Sequence, residues 1–124
     1  MNVKNAISWF EIPVSDYERA INFYESVFDT RLQRESIDEV NYAIFSAEEP
    51  AVSGALIKAD FQQPSEQGSL VYLNAEGVMD DVIERAQALG AKVYIPKTYI
   101  GDPGYIAHIG DSEGNKIALH SHAE

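Results

Sequence analysis

Ser-Asp-Tyr-Glu-Arg-Ala-Ile-Asn-Phe-Tyr-Glu-Ser-Val-Phe-Asp, residues 15–29, has a second reading at residues 76–90, Glu-Gly-Val-Met-Asp-Asp-Val-Ile-Glu-Arg-Ala-Gln-Ala-Leu-Gly. The offset is 61 residues, from Ser15 to Glu76. It is a match of pattern, with mismatches such as Ala20 on Asp81. In the first copy Ala20, Ile21, Phe23, Tyr24, Val27 and Phe28 recur at helical spacing and make one broad apolar face. Ser15 as N-cap with Glu18 at N3 forms the pattern of a capping box. In the second copy Val78, Val82, Ile83, Ala86 and Leu89 make the amphipathic face, and Gly90 stands where a C′ glycine ends a helix. Two copies of one supersecondary unit bury a face against each other and leave a site between them.

The register extends outward from the two helices. Ile12 and Val14 fall on Leu73 and Ala75, Gly54 on Asn115, and Leu56 on Ile117. Before the first helix, residues 6–14 alternate as a strand, Phe10, Ile12 and Val14 against Trp9, Glu11 and Pro13. Residues 31–36, 40–46 and 53–59 read as three short strands after it. Residues 69–75 precede the second helix, and 91–95, 105–109 and 116–121 follow it as strands. Each half is therefore β-α-β-β-β. The polar, breaker-rich segment 60–68 links module one (about 5–59) to module two (about 69–123), in a single domain spanning 1–124. Residues 97–104, with two glycines and a proline, read as a long flap, and the chain is expected to fray from His122 onward.

Composition excludes several functions. A chain of 124 residues with 45% hydrophobic content can build one globular core. No run of about 18 apolar residues and no basic leader with an apolar stretch is present, so neither a membrane span nor a secretory signal is expected. The absence of cysteine removes disulfides, thiol nucleophiles and zinc–thiolate sites, and fits a cytoplasmic protein. A net charge of −11 with nine basic residues argues against nucleic acid and against an anionic membrane surface. A small, weakly charged ligand fits this balance better than a polyanion.

Phe10-Glu11-Ile12-Pro13-Val14-Ser15-Asp16, then Arg19-Ala20, Phe23-Tyr24 and Val27-Phe28, resembles the opening of the vicinal oxygen chelate superfamily, the glyoxalase, bleomycin-resistance and extradiol-dioxygenase group. Asp111-Ser112-Glu113-Gly114-Asn115-Lys116-Ile117 is similar to its closing motif, with Ser112 where the family carries proline. The resemblance implies an α+β fold. Two tandem βαβββ modules would form a curved, partly open eight-stranded sheet around a cavity, helices outside. It also implies pairing into a homodimer, and in metal-using members four inward positions supplying His, Glu or Gln to a divalent ion. Because unrelated chemistries share the fold, the resemblance does not by itself name a function.

Transferred residue by residue, the four positions are Trp9, Ile57, Leu70 and Ala118. None carries a donor atom for a metal, so no metal and no other cofactor is expected. With Trp9 inward, period two brings Glu11 inward, and with Ala118 inward it brings Lys116 and His120. The cavity is then lined by Trp9, Glu11, Ile57, Leu70, Tyr72, Asn74, Ala118 and His120, an apolar and aromatic set with a few polar groups. Glu11 between Trp9 and Pro13 is costly to bury unpaired, and burial would raise its pKa toward the range of a general base. His120 is its candidate partner. The alternatives are that Glu11 only shapes the pocket by bonding a tyrosine or water, or lies exposed at its rim, and that His120 is a satisfied strand histidine. His108 is read as structural or surface. Tyr42, Tyr94, Tyr99 and Tyr105 belong either to the pocket or to a subunit contact. Asp111, Glu113 and Asn115 are read as turn residues that satisfy backbone donors. Lys97 and Lys116 are candidate anion contacts.

Four functions from different classes remain. The first is a metal-independent member that binds a small apolar or aromatic molecule in the inter-module cavity. The second is a lyase or isomerase acting on a carbonyl compound or epoxide, with Glu11 as general base and His120 as its acid or orienting partner. The third is a metal-dependent lyase or dioxygenase whose ligands have shifted to Glu11, His120 and His122. The fourth, non-catalytic, is an interaction subunit whose cleft is filled by a partner or by its own side chains, Trp9 foremost.

Overall fold

The structure is a computed structural model and describes residues 5–48 and 50–123; expectations touching residues 1–4, 49 and 124 lie outside it. Ten elements follow in order: β1 (Trp9–Pro13), α1 (Tyr17–Phe28), β2 (Leu32–Ile37), β3 (Val40–Phe45), β4 (Ser53–Lys58), β5 (Tyr72–Asn74), α2 (Met79–Ala88), β6 (Val93–Tyr99), β7 (Tyr105–Gly110) and β8 (Lys116–Ser121). The duplicated β-α-β-β-β order is present. The eight strands divide into two four-stranded mixed sheets, β1-β4-β3-β2 and β5-β8-β7-β6. In each, the first strand of the module runs parallel to its last, and the other pairs are antiparallel.

Helix-side residues of both modules form one core. Ile12, Val14 and Leu56 of the first join Leu73, Ile117 and Leu119 of the second, with Tyr24, Val27, Val82 and Ala86 from the helices. The modules are also bolted by polar contacts that the turn residues make at long range. Glu113 accepts hydrogen bonds from Ser15 N, Ser15 Oγ and Asp16 N and pairs with Arg19 at 2.7 Å. Asn115 Nδ2 donates to Pro13 O at 2.7 Å, while its Oδ1 accepts from Ser65 N. Tyr24 Oη donates to Asp111 Oδ2 at 2.6 Å.

These bolts explain one correction. The N-cap of α1 is Asp16, whose Oδ1 accepts from Arg19 N, because Ser15 is already engaged by Glu113. The flap expected at 97–104 is shorter. Lys97, Thr98 and Tyr99 continue β6 after two irregularities in its pairing with β7, which leaves 100–104 as the turn. The C-terminal residues are held rather than frayed as far as Ala123. Glu76 accepts from His122 N at 2.6 Å and Ala123 N at 3.0 Å.

The registers of the closing strands differ between modules. Val14 N donates to Ile57 O, and Ala75 N donates to His120 O. Val14 and Ala75 are 61 residues apart, but Ile57 and His120 are 63 apart. Structurally, Ala55 is thus the counterpart of Ala118, lying beside Glu11 as Ala118 lies beside Tyr72.

Candidate functional site

Strand alternation gives each sheet a helix-packed face and a helix-free face. On the helix-free face β1 places Trp9, Glu11 and Pro13 beside Ser53, Ala55 and Ile57 of β4. In the second sheet Tyr72 and Asn74 of β5 lie beside Ala118 and His120 of β8, with His108 and Ile106 of β7 on their other side. Tyr42 stands opposite Ile57 on β3.

The structure brings Tyr72, Asn74 and His120 together with Glu76 and His122 in an open groove of about 460 Å³. Trp9 lines a different groove, of about 410 Å³, with Gln33, Ile44 and Ser53. Glu11 lines a third, of about 150 Å³, with Pro13, Asn115 and Lys116 at the seam between modules. Ile57 and Ala118 are fully buried in their sheets, and Leu70 is half-buried. Trp9 is 44% exposed and Tyr72 49%, so Trp9 does not plug a closed cavity within one chain.

Glu11 and His120 are not joined within the chain. Glu11 accepts from Trp9 Nε1 and Gln62 Nε2, both at 3.3 Å. His120 Nε2 lies 2.7 Å from Pro103 O, fastening the 100–104 turn to β8. Gly104 makes that closeness possible, since a Cβ there would stand 2.7 Å from His122 Cα.

The metal positions fit no ion. Read by sequence they are Trp9, Ile57, Leu70 and Ala118, and the register replaces Ile57 with Ala55; either set lacks a ligating atom. The shifted set of Glu11, His120 and His122 is divided between two grooves. Among the described residues no group of three or more His, Asp or Glu side chains is arranged to hold a metal.

His108 is the residue sequence reasoning missed. Its Nε2 lies 3.1 Å from Tyr72 Oη, and the two rings meet edge-on with centroids 5.8 Å apart. The two flank Ala118 in one row across the sheet, and its methyl is small enough for the side chains to meet over it. Burial, and then the Lys116 charge, hold the His108 imidazole below the usual histidine value. Lys116 itself lies 4.9 Å from the centre of the Tyr94 ring. The signal for His108 was the hairpin around 111–115. Pairing Gly110 with Lys116 fixes His108 opposite Ala118.

The family model for the Glyoxalase/Bleomycin resistance protein/Dioxygenase superfamily matches residues 6–119, and the chain belongs to that superfamily. Solved structures agree on the fold. A glyoxylase/bleomycin resistance protein/dioxygenase domain from Frankia sp. EAN1pec superposes with a TM-score of 0.73 at 18% identity, covering 97% of this chain and 99% of that one. A glyoxalase/bleomycin resistance protein from Albidiferax ferrireducens T118 gives 0.73 at 19% identity over 94% and 98%. The fosfomycin resistance protein FosX from Listeria monocytogenes gives 0.67 at 15% identity over 96% and 92%. At such identities the likeness is one of fold. No curated protein matches the chain. Among the described residues no helix is long and apolar enough to cross a membrane.

Proposed function

We propose that this protein binds a small apolar or aromatic organic molecule on the helix-free faces of its sheets, without a divalent ion, and that two copies pair to enclose the site. The observation that carries the reading is the donorless set at the family's metal positions, Trp9, Ile57 or Ala55, Leu70 and Ala118. Supporting it are two grooves within the size range of ligand pockets, one with Trp9, Ile44 and Phe45 among small polar residues, the other with Tyr72 among Asn74, Glu76, His120 and His122. Pairing is supported by Trp9, Tyr72 and Ile95, which leave 37–49% of their surfaces uncovered on those faces.

Elemental analysis of protein purified without chelators tests the metal-free reading, beside thermal shift with Ni²⁺, Zn²⁺, Mn²⁺ and EDTA. The expected result is a trace of metal and an unchanged melting temperature. Close to one tightly held ion per chain, or a large shift on metal addition, would overturn it. Sedimentation equilibrium tests the pairing, with a dimer expected and a monomer removing it.

The enzymatic reading, Glu11 as general base with His120, depends on that pairing, because within one chain the two bond to other groups. Two copies that set the first sheet of one against the second sheet of the other would bring them across a common cavity. If so, Glu11→Gln should reduce turnover of a confirmed substrate by about 10²–10⁴-fold. Full turnover in that variant would sink the idea.

A further inference from the structure

Resting on the metal-free reading above, we infer that the helix-free face of the second module takes an aromatic hydroxy compound, a phenol, whose oxygen is met by Tyr72, with His108 behind it as proton acceptor, and whose negative charge, once formed, is balanced by Lys116.

Ala118 lies at the centre of the row, between Tyr72 and His108. It occupies a position where the family carries a metal ligand, and it has no side chain beyond a methyl group. Tyr72 on one neighbouring strand and His108 on the other close over it, Oη to Nε2 at 3.1 Å. The vacated position is thus spanned by a phenol–imidazole pair. With the ring proton on Nδ1, the phenol donates to Nε2, and the lone pairs of its oxygen remain to accept from a ligand. Lys116 is the next inward residue on β8, opposite Gly110, and its charge is felt at His108. The other titratable groups near this face are His120, bonded to Pro103 O, Tyr94, whose Oη donates to Glu66, the Glu76–His122 pair that shares the groove of Tyr72, and Glu11, which shares a groove with Lys116. Apolar walls come from Ile95, which pairs with His108 at the end of this row, and from Ile106, which stands beside His120 in the next.

The chemistry follows from these placements. A chain of net charge −11 repels anions at long range, so the acid arrives neutral. The ligand O–H gives its proton to Tyr72 Oη as the Tyr72 proton passes to His108 Nε2. The ligand is left as phenolate and His108 as imidazolium. The imidazolium, disfavoured beside Lys116, then releases its Nδ1 proton to water. No oxidant, reductant or co-reactant enters, and the net change is the loss of one proton from the bound ligand. Lys116 does for the bound oxygen part of what a metal cation would do, lowering the energy of its anion.

The test uses the full-length protein with 4-nitrophenol, whose phenolate absorbs visibly, and with nitrobenzene, which has no proton to give. Wild-type protein is expected to bind both and to lower the pH at which bound 4-nitrophenol ionises by about one unit. Tyr72→Phe and His108→Gln should lose that shift while keeping nitrobenzene. A second readout needs no variant: saturation with 4-nitrophenol should raise the His108 midpoint in an NMR titration, because an anion then lies beside the ring. If 4-nitrophenol binds with unchanged ionisation, or if Tyr72→Phe retains the shift, the assignment of Tyr72 and His108 is wrong and small-molecule binding stands. If neither probe binds, both readings fall together.

Discussion

Glu113→Ala should lower the unfolding free energy by about 3 kcal/mol, measured by urea denaturation at pH 7. Glu113 is a carboxylate whose side chain is fully buried, yet it belongs to an exposed-looking turn in the second module. Its oxygens accept from Ser15 N at 3.0 Å, Asp16 N at 2.7 Å, Ser112 Oγ at 2.9 Å and the Arg19 guanidinium at 2.7 Å. Alanine leaves the two backbone donors at the start of α1 without their acceptor and opens the seam between modules. Arg19 is half-exposed and can turn to water, which keeps the cost below that of a fully buried pair.

The same residue sets an acid limit. Burial alone would raise the Glu113 carboxyl, but the bonds from Arg19, Asp16 N–H, Ser112 and Ser15 N–H outweigh it and hold the group at about 2, against an ordinary 4.5. A carboxyl depressed in the folded state adds stability above its unfolded value and loses it as pH falls through the folded one. The window is therefore pH 4.5 down to about 2, and the difference amounts to about 3 kcal/mol. Glu113→Gln keeps the shape without the charge. Glu18 and Glu76 are also held low and lose their bonds in both proteins, so across that window the variant should fall about 3 kcal/mol less than the wild type, and parallel curves for the two proteins would refute the assignment.

What the sequence made legible was what periodicity encodes. The repeat at 61 residues shows as a match of the sequence with itself, both amphipathic helices follow from spacing 3.6, and the separation of Trp9, Tyr72 and Ala118 from the helix-packed residues follows from spacing 2. What escaped was set by contacts between distant segments. Ser15 satisfies every local rule for an N-cap, yet Glu113, 98 residues away, claims it. The closing strand of module one is shifted by two residues relative to that of module two and sets Gly54 opposite Phe10, a register that no single-strand pattern displays. His108 hid because its strand is apolar on both faces, so alternation gave it no direction.

Gly54→Ala should be the other strongly damaging change, costing about 3 kcal/mol, and Phe10→Val should partly reverse it. A Cβ built on Gly54 would stand 2.5 Å from the Phe10 ring and closer still to the Phe10 carbonyl oxygen. Gly54 has no positive φ to protect, so the effect comes from space alone. In the second module the equivalent pair is Val71 beside Ile117, medium against large, where the first module sets large against nothing. The ring of Phe10 fills the room a side chain at 54 would take, and packs on Phe45 with centroids 5.6 Å apart. Phe10→Val alone loses that contact and opens a gap, at about 1–2 kcal/mol for a half-buried ring. In the double variant the new methyl occupies part of the gap, so the combined loss should fall about 1 kcal/mol short of the sum. The approach to the Phe10 carbonyl is untouched by changing the ring, which is why rescue stops there. Strict additivity of the two changes, read from urea midpoints at equal m-values, would show that the ring does not set the space at Gly54 and that the backbone approach alone requires the glycine.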